Sequence, residues 1–448
     1  MSTGATQRLL AGPIVPTIAR LAAPGMVLAG CQSAASVADT YFVARGGTDA
    51  LAGLAVVFPL VVLLQMTSAG AMGGAVASAV ARARGAGDQA TARRLVVHAL
   101  VIALGAGLGF TVALIALGGA LYALLGGAGP VLAQALAYSH VLFGGAVVVW
   151  LANTLASVLR GTGNTLTPAL CLAAAALLQI PLAGALVLGW GPLPRLGISG
   201  AAIAYVAAFL GAGLVMGVVI WRGPLRPRGA EWRLDARLFR QILRVGALSS
   251  ISSVQTVLTA VLVTGLVGRF GAGALAGYGV GLRLELQQVP LVFAIGQALV
   301  VLVGTNIGAG QGARARRIAW LGTAMAAGLS LSIGLFVAAF PGAWIHLFSD
   351  DPTVLRTGTA YLRIVAPFYG LLGAGLALFF AAQGVGKMLL SVLAGTARLS
   401  VVVVGGALVA TLDGPLAAMF GVVAGGIAVF GTLLVTTVRR ARWGAPPA

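Results

Sequence analysis

Residues 21–47, LAAPGMVLAGCQSAASVADTYFVARGG, are apolar enough to form a membrane-spanning helix, yet they contain one acid, Asp39, with Arg45 as the next charge. Keeping a carboxylate inside a spanning helix costs roughly 2.5–3.5 kcal/mol on insertion scales, so such an acid is expected to have a function. On a helix, Gln32, Ser36 and Asp39 follow an i, i+4, i+7 spacing and share one face. We predict that this face is turned to water or to a partner helix. The alternative is a structural acid that caps the outer helix end or pairs with Arg45.

The composition predicts a polytopic membrane protein. Of the 448 residues, 59% are hydrophobic and only 8% are charged, whereas roughly 25% charged residues is usual for soluble domains. The net charge of +19 would suggest nucleic acid for a soluble protein, but an excess of arginine in cytoplasmic loops explains it here, so no nucleic-acid partner is expected. Neither a secretory signal nor a metal-ligand motif is visible, and Cys31 and Cys171 lie in apolar runs. We therefore expect no cofactor, no metal site and no disulfide.

Apolar runs separated by charged or Gly- and Pro-rich breaks predict an all-α protein with twelve transmembrane helices, because a span needs ~20 apolar residues. Other counts stay open, since two of the runs are unusually long. The predicted spans fall near 18–43, 50–80, 95–124, 131–158, 166–190, 198–221, 245–268, 273–305, 318–345, 355–382, 386–411 and 414–438.

The distribution of basic residues predicts the orientation. If the N-terminus is cytoplasmic, the external loops hold only Arg45, Arg195 and Arg269. The positive-inside rule then places both termini in the cytoplasm of a multi-pass protein of the cell inner membrane. The inner side receives the other loop residues: Arg8, Arg20, Arg82, Arg84, Arg93, Arg94, Arg160, the arginines of 222–244, Arg314, Arg316, Arg317, Lys387, Arg439, Arg440 and Arg442.

The two halves of the chain repeat. TYFVARGGTDALAG at 40–53 aligns with TGLVGRFGAGALAG at 264–277, and a nearly equal offset of 223 maps Tyr138 onto Tyr361. An even number of spans per half means that both halves enter from the same side. We predict two six-helix bundles related by a pseudo-twofold axis along the membrane normal, with a cavity between them. The predicted domains are an N-terminal bundle at 1–221, a polar cytoplasmic connector at 222–244 and a C-terminal bundle at 245–448.

The second half carries its own polar groups in the predicted spans. A hydroxyl stripe in the seventh span, with Gln255 and Thr256, either lines the cavity or forms hydrogen bonds between helices. The position that matches Asp39 is Val263, so the acid of the first half has no counterpart. Glu285 is interpreted as part of a local ion pair with Arg283 near the outer interface.

Several segments carry a resemblance to a known family. In the first half these are LAAPGMVLAG, VADTYFVARGGTDALAG, VLRGTGNTLTP and LGISGAAIAY. In the second half they are LVGRFGAGALAGYGVGLRLE, LVGTNIGAGQGARARR and AAQGVGK. Taken together, these segments resemble the multidrug and toxic compound extrusion (MATE) transporters, in particular the DinF-like branch of the MOP flippase superfamily. The resemblance extends over roughly residues 15–440, with the motifs in the same order in both halves. It implies two six-helix bundles around a cavity and export of cationic, lipophilic compounds against inward H⁺ or Na⁺. We expect the protein to be a monomer.

The resemblance also implies site residues. Asp39 matches the first-span acid tied to cation coupling, and Gln32, Asn153, Gln179 and Tyr205 stand at polar positions of the same half. Some members of the family have a second acid at the position of Ala183. The second-half acids of the NorM-like branch are also missing, and Gln255 and Thr256 stand near their place. This favours protons over Na⁺ as the coupling cation.

The resulting hypothesis is a secondary antiporter and not an enzyme. Asp39 gains and loses a proton, and the first helix repacks or bends at Pro24 as the charge changes; a static kink is the alternative reading of that proline. One rival is a flippase for lipid-linked sugars, supported only by Arg363 and Arg398. An intramembrane enzyme would need a paired acid, a Ser-Lys or His cluster, or a metal motif, and no such set is visible. A purely structural membrane protein would not explain the cost of Asp39.

Overall fold

The computed structural model describes residues 3–440, and these form helices without strands. A π-helical turn, Met66–Met72, joins the helices on either side of it, and two 3₁₀ turns occur at Gly229–Trp232 and Ala366–Phe368. The helices are α1 Thr3–Ala11, α2 Ile14–Ala44, α3 Thr48–Gln65, α4 Gly73–Gly85, α5 Gln89–Leu124, α6 Gly129–Gly144, α7 Ala146–Gly161, α8 Leu166–Leu188, α9 Ile198–Arg222, α10 Ala236–Gly268, α11 Ala272–Gly308, α12 Gly312–Ala339, α13 Pro341–Ile345, α14 Pro352–Val365, α15 Tyr369–Val385, α16 Leu389–Thr411 and α17 Leu416–Arg440.

These helices confirm the predicted fold class. Among the described residues, 11 helical stretches are long and apolar enough to cross a membrane, and Thr48–Gly85 and Pro352–Val385 each count as one. The pair α6 and α7, bent by 47°, supplies the twelfth when it is counted as one span. The ninth span ends earlier than predicted, at Ala339, because a break at Phe340 precedes the short helix Pro341–Ile345. The seventh begins earlier, at Ala236, because the arginine-rich segment before it continues the helix.

The fourth span of each half is interrupted at an equivalent place. In the first half the break lies at Gly145, where an added Cβ would come within 2.5 Å of the side chain of Val206. In the second half the 3₁₀ turn Ala366–Phe368 contains Pro367, which has no N–H for a helical hydrogen bond. The 223-residue offset maps Gly145 onto Phe368. The internal repeat therefore extends to the irregularities of the helices.

The described residues pack as two compact units. The first comprises the residues up to Leu9 together with Ala23–Ala247, and the second comprises Leu10–Ala22 together with the residues from Leu248 onward. The helix α2 is thus divided next to Pro24, with its first part packed in the second unit. The first unit also contains the segment that was predicted as a connector.

Close helix packing in the second unit depends on glycine. A Cβ added at Gly334 of α12 would lie 2.1 Å from the carbonyl oxygen of Ala366, in the 3₁₀ turn. Backbone at that distance cannot yield as a flexible side chain can. Gly328 lies on the same helix, and a Cβ there would meet nothing within 4 Å. Small residues at such crossings let membrane helices approach closely.

We expect Gly334→Ala to lower the free energy of unfolding of the protein in detergent by about 1–3 kcal/mol, as overpacking usually does. Gly328→Ala is the matched control and should leave it unchanged or raise it slightly, because alanine is the better helix former. Thermal unfolding of the two variants measures the difference. Equal stability of both would contradict the close contact between α12 and the 3₁₀ turn.

The connector is fixed to the start of α5 by charges. Arg93 pairs with Glu231 at 2.7 Å, and Arg94 pairs with Asp235 at 3.2 Å. Between them, the buried ring of His98 accepts a 2.8 Å hydrogen bond at Nε2 from the backbone N–H of Asp235. The Nδ1 of His98 lies 2.7 Å from the carbonyl oxygen of Arg94 and must therefore carry the proton. His98 thus holds the connector in the first unit.

The docking of the connector should weaken in acid. The backbone N–H of Arg237 donates to Asp235 and lowers the pKa of this carboxyl, and the charge of Arg94 lowers it further. Because the pKa is depressed in the folded protein, the stabilisation is complete above the ordinary value of about 3.9 and is lost as the pH falls through the folded value. Hydrogen exchange of residues 229–235, corrected for intrinsic rates, should accelerate below about pH 4. At neutral pH, Asp235→Ala should accelerate it more than Asp235→Asn, since only asparagine keeps an acceptor for Arg237; unchanged protection in both would contradict this docking.

Candidate functional site

Asp39 faces the interior of the first unit. Its Oδ2 accepts a 2.5 Å hydrogen bond from Nε2 of Gln179 on α8, and its Oδ1 is buried without a hydrogen-bond partner among the described residues. Arg45 does not pair with this acid: it donates to the hydroxyl of Tyr41 and lies 4.9 Å from the centroid of that ring. The structure therefore shows a carboxylate directed at a neutral amide, with one oxygen left over.

A second set of polar groups lies in the same unit. Asn153 on α7 donates from Nδ2 to Oε1 of Gln65 at 3.1 Å and to Oγ of Ser68 at 2.9 Å. Gln65 in turn donates to the hydroxyl of Tyr205 on α9. The π turn Met66–Met72 begins directly after Gln65 and contains Ser68. This widened turn lets the two neighbouring side chains meet one asparagine, so three spans are joined by one amide network.

Tyr138 and Tyr205 connect the two sets electrostatically. The charge of Asp39 acts on the hydroxyls of both tyrosines, which also interact with each other. Sequence reasoning named Asn153, Gln179 and Tyr205 but missed Gln65 and Tyr138. A lone amide in the apolar run FPLVVLLQMTSAG could have indicated Gln65. The repeat, which pairs Tyr138 with Tyr361, was noted but not connected to the acid.

Gln32 and Ser36 stand apart from this network. Both are exposed, and no hydrogen bond joins either side chain to Asp39 within the described chain. The backbone oxygen of Ser36 accepts a 2.9 Å hydrogen bond from the hydroxyl of Thr40. The helical spacing placed them on one face of α2, but the carboxyl is turned to α8 instead.

The polar pair predicted for the second half is engaged within its own unit. Gln255 donates from Nε2 to the hydroxyl of Thr396 on α16 at 2.8 Å, while its Oε1 is buried without a partner in the described part of the chain. Thr256 donates to the carbonyl oxygen of Ser252 on its own helix at 2.9 Å. Gln255 thus links two helices, and Thr256 satisfies its hydroxyl locally.

The interpretation of Glu285 was wrong. Arg283 lies 5.4 Å from the ring centroid of Phe348 and is not its partner, because residues two apart on a helix point in different directions. Glu285 is 8% exposed. It accepts a 2.8 Å hydrogen bond from the hydroxyl of Tyr361 and lies 3.7 Å from the guanidinium of Arg398. The second unit therefore has a buried acid of its own, on α11 and not at the position of Asp39.

A family model described as MatE matches the chain in two segments, residues 24–184 and 249–408. The chain belongs to the MatE family. The two segments fall in the two halves that the internal repeat defines, so the repeat of this MatE chain is a property of its family. The resemblance to MATE transporters that the motifs indicated is confirmed.

Two relatives match this MatE chain over most of both sequences. The FAD transporter of Shewanella oneidensis is 27% identical over 371 residues, which cover 82% of this chain and 81% of that protein. The protein of Burkholderia mallei described as "Probable multidrug resistance protein NorM" is 31% identical over 399 residues, with coverages of 82% and 80%. A solved structure of a multidrug resistance MATE family transporter of the MOP superfamily, in an outward-facing conformation, has a TM-score of 0.89 at 22% identity over 98% of both chains. This last likeness shows the fold.

Proposed function

We propose that this protein is a secondary antiporter that exports cationic or lipophilic small molecules, coupled to inward movement of H⁺ through Asp39. The observation that supports it is the environment of this carboxyl: Oδ2 is bonded to the neutral amide of Gln179, and the buried Oδ1 has no partner in the described chain. A buried carboxylate without an opposite charge is costly in its ionised form. A proton on Oδ1 removes that cost.

The mechanism follows from the change in charge. Ionised, Asp39 holds the charge-assisted hydrogen bond from Gln179 and attracts a cation. Protonated, it loses the charge that tied α2 to α8. Pro24 leaves one carbonyl of α2 without its helical hydrogen bond, so this helix can repack at that point. Coupling requires that the proton and the substrate bind the two states of the protein with different affinities.

The acid count supports H⁺ over Na⁺. Asp39 is the only acid of the first-half spans that lies away from their ends. A single carboxyl with one free oxygen suits a proton, whereas a hard cation prefers several oxygen ligands. The presence of this single acid also favours the DinF-like branch of the family. The distribution of arginine further supports an inner-membrane protein with both termini cytoplasmic.

Vesicles containing the purified protein and a fluorescent lipophilic cation test this function. An imposed pH gradient should drive transport, and an imposed Na⁺ gradient at constant pH should not. Transport driven only by the Na⁺ gradient would show that the coupling cation is Na⁺ and not H⁺. If vesicles with the protein transport the cation no faster than protein-free vesicles under either gradient, this result would contradict antiport of such cations.

A second candidate function is export of an anionic amphiphile, including the lipid-linked substrates of a flippase. Two observations favour it. The Shewanella oneidensis relative is an FAD transporter, and FAD carries phosphate groups. Arg398 places a positive charge within a spanning helix of the second unit.

A further inference from the structure

The second unit contains a polar cluster that the proton-coupled mechanism does not use. Glu285 on α11, Tyr361 on α14 and Arg398 on α16 meet inside the bundle. Ionisable residues are rare at membrane depth and lie there for a function by default. Arg398 is the ninth residue after Leu389 in a helix that ends at Thr411, so it lies near the middle of the span.

Arg398 has hydrogen-bond donors but no acceptor in reach. Its guanidinium carries five N–H groups, yet no hydrogen bond from it is found within the described chain. The 3.7 Å separation from Glu285 is an ion pair but too long for a hydrogen bond. The guanidinium also lies 6.0 Å from the centroid of the Phe430 ring. The side chain keeps 16% of its surface accessible, so the described residues do not enclose it fully.

A further polar group beside this cluster lacks partners. Gln288 lies one turn from Glu285 on the same face of α11 and is 3% exposed, and both of its amide atoms are buried without a hydrogen bond in the described chain. The 223-residue offset pairs it with Gln65, whose amide oxygen and nitrogen are both hydrogen-bonded in the first unit.

The balance of donors and acceptors indicates the kind of ligand. Glu285 already has a hydrogen bond from Tyr361 and a cation beside it, whereas Arg398 and the amide of Gln288 still have N–H groups to offer. A second cation would have to enter next to Arg398, and like charges repel. A ligand that accepts hydrogen bonds and carries negative charge fits this arrangement, because guanidinium groups bind carboxylates and phosphates best.

We propose that Arg398, with Gln288, binds the acidic group, a carboxylate or phosphate, of an amphiphilic substrate. Glu285 is the internal counter-ion that competes with this group for Arg398. The proposal rests on the second candidate function, export of an anionic amphiphile, and names the group by which such a substrate is bound. It also explains why the ion pair is loose: a tight pair would leave Arg398 unavailable.

Binding of 1-pyrenebutyrate tests the site, with 1-pyrenebutanol as the uncharged match. The full-length protein is placed in nanodiscs of neutral lipid, and energy transfer from tryptophan to pyrene reports bound probe. We expect the acid, but not the alcohol, to bind saturably. Arg398→Gln should weaken this binding at least about tenfold, and Glu285→Gln should strengthen it about tenfold, since bonds to a charged group differ by such factors. Arg363→Gln, at an exposed arginine of the same unit, is the matched control and should bind as the unchanged protein does.

The opposite signs for Glu285→Gln and Arg398→Gln decide the outcome. Weaker binding in both variants would mean that the pair only maintains the fold, and unchanged binding in both would place the probe elsewhere; either result overturns the proposal. If Arg398→Gln does not fold, Glu285→Gln decides alone, and binding that is not strengthened overturns it. Two competitors are added in separate experiments: inorganic phosphate in solution, and phosphatidylglycerol in the nanodisc lipid. Displacement of 1-pyrenebutyrate by either supports the anion site. The more effective competitor shows whether the site prefers a free anion or a lipid headgroup. No gradient is used, so a failure of proton coupling does not affect this result.

Discussion

Replacing Asp39 by asparagine should reduce transport driven by a pH gradient to the level of protein-free vesicles. Asparagine keeps an acceptor for the amide of Gln179 but cannot bind or release a proton. The variant is uncharged, as protonated Asp39 is, so it lacks the charged form that the cycle requires. If the conformation favoured by that form is then populated at only about 1%, the rate falls about 100-fold. The measurement is the initial rate of uptake of a fluorescent lipophilic cation into vesicles with an imposed pH gradient.

Asp49→Asn is the matched control, because it makes the same substitution at an exposed acid in the first turn of α3. This variant should transport as the unchanged protein does. The transport rates are compared only if both variants reach the membrane and can be purified as folded protein. Undiminished gradient-driven transport by Asp39→Asn would remove this residue from the coupling mechanism.

The second large effect concerns the buried pair of the second unit. Arg398→Leu leaves the carboxyl of Glu285 without its cation, and breaking one side of a buried pair costs about 3–5 kcal/mol. We therefore expect a loss of about 3 kcal/mol. The double variant Glu285→Leu/Arg398→Leu should lose much less, because apolar side chains of similar size often replace a buried pair without a penalty. Thermal unfolding in detergent measures the three variants against the unchanged protein.

Arg363→Leu is the control for the loss of an arginine in the same unit, and it should be neutral because this residue is exposed. Equal loss of stability in the single and double variants would show that Glu285 and Arg398 do not interact. That result would also remove the internal counter-ion on which the anion site depends.

Much of the first unit's site could be predicted because each residue is a polar exception in an apolar run. Asp39, Asn153 and Gln179 are conspicuous for that reason, and the structure places each in the same unit, in one or other of its two polar sets. Gln32 and Ser36 are equally conspicuous but remain exposed. Helical spacing shows which residues share a face, but it does not show which neighbouring helix that face meets.

The second unit shows the same limit. Glu285 was assigned to Arg283 because the two are close in sequence, whereas its true partners, Tyr361 and Arg398, are distant along the chain. The hydrogen bond between Asn153 and Gln65 was missed for the same reason. The π turn after Gln65, which brings Ser68 into reach, leaves no signature in the hydrophobic pattern.

Hydrophobicity, the breaks between apolar runs and the internal repeat determined from sequence alone that this protein has about a dozen spanning helices in two related halves. They suffice because a bilayer requires each span to be long, apolar and helical, so the pattern is local. Only the tertiary structure decided which polar groups meet, since those contacts join residues that are distant along the chain, such as Asp39 with Gln179 and Glu285 with Arg398. Their pairing depends on the rotation and depth of each packed helix, and these are fixed by side-chain contacts between spans.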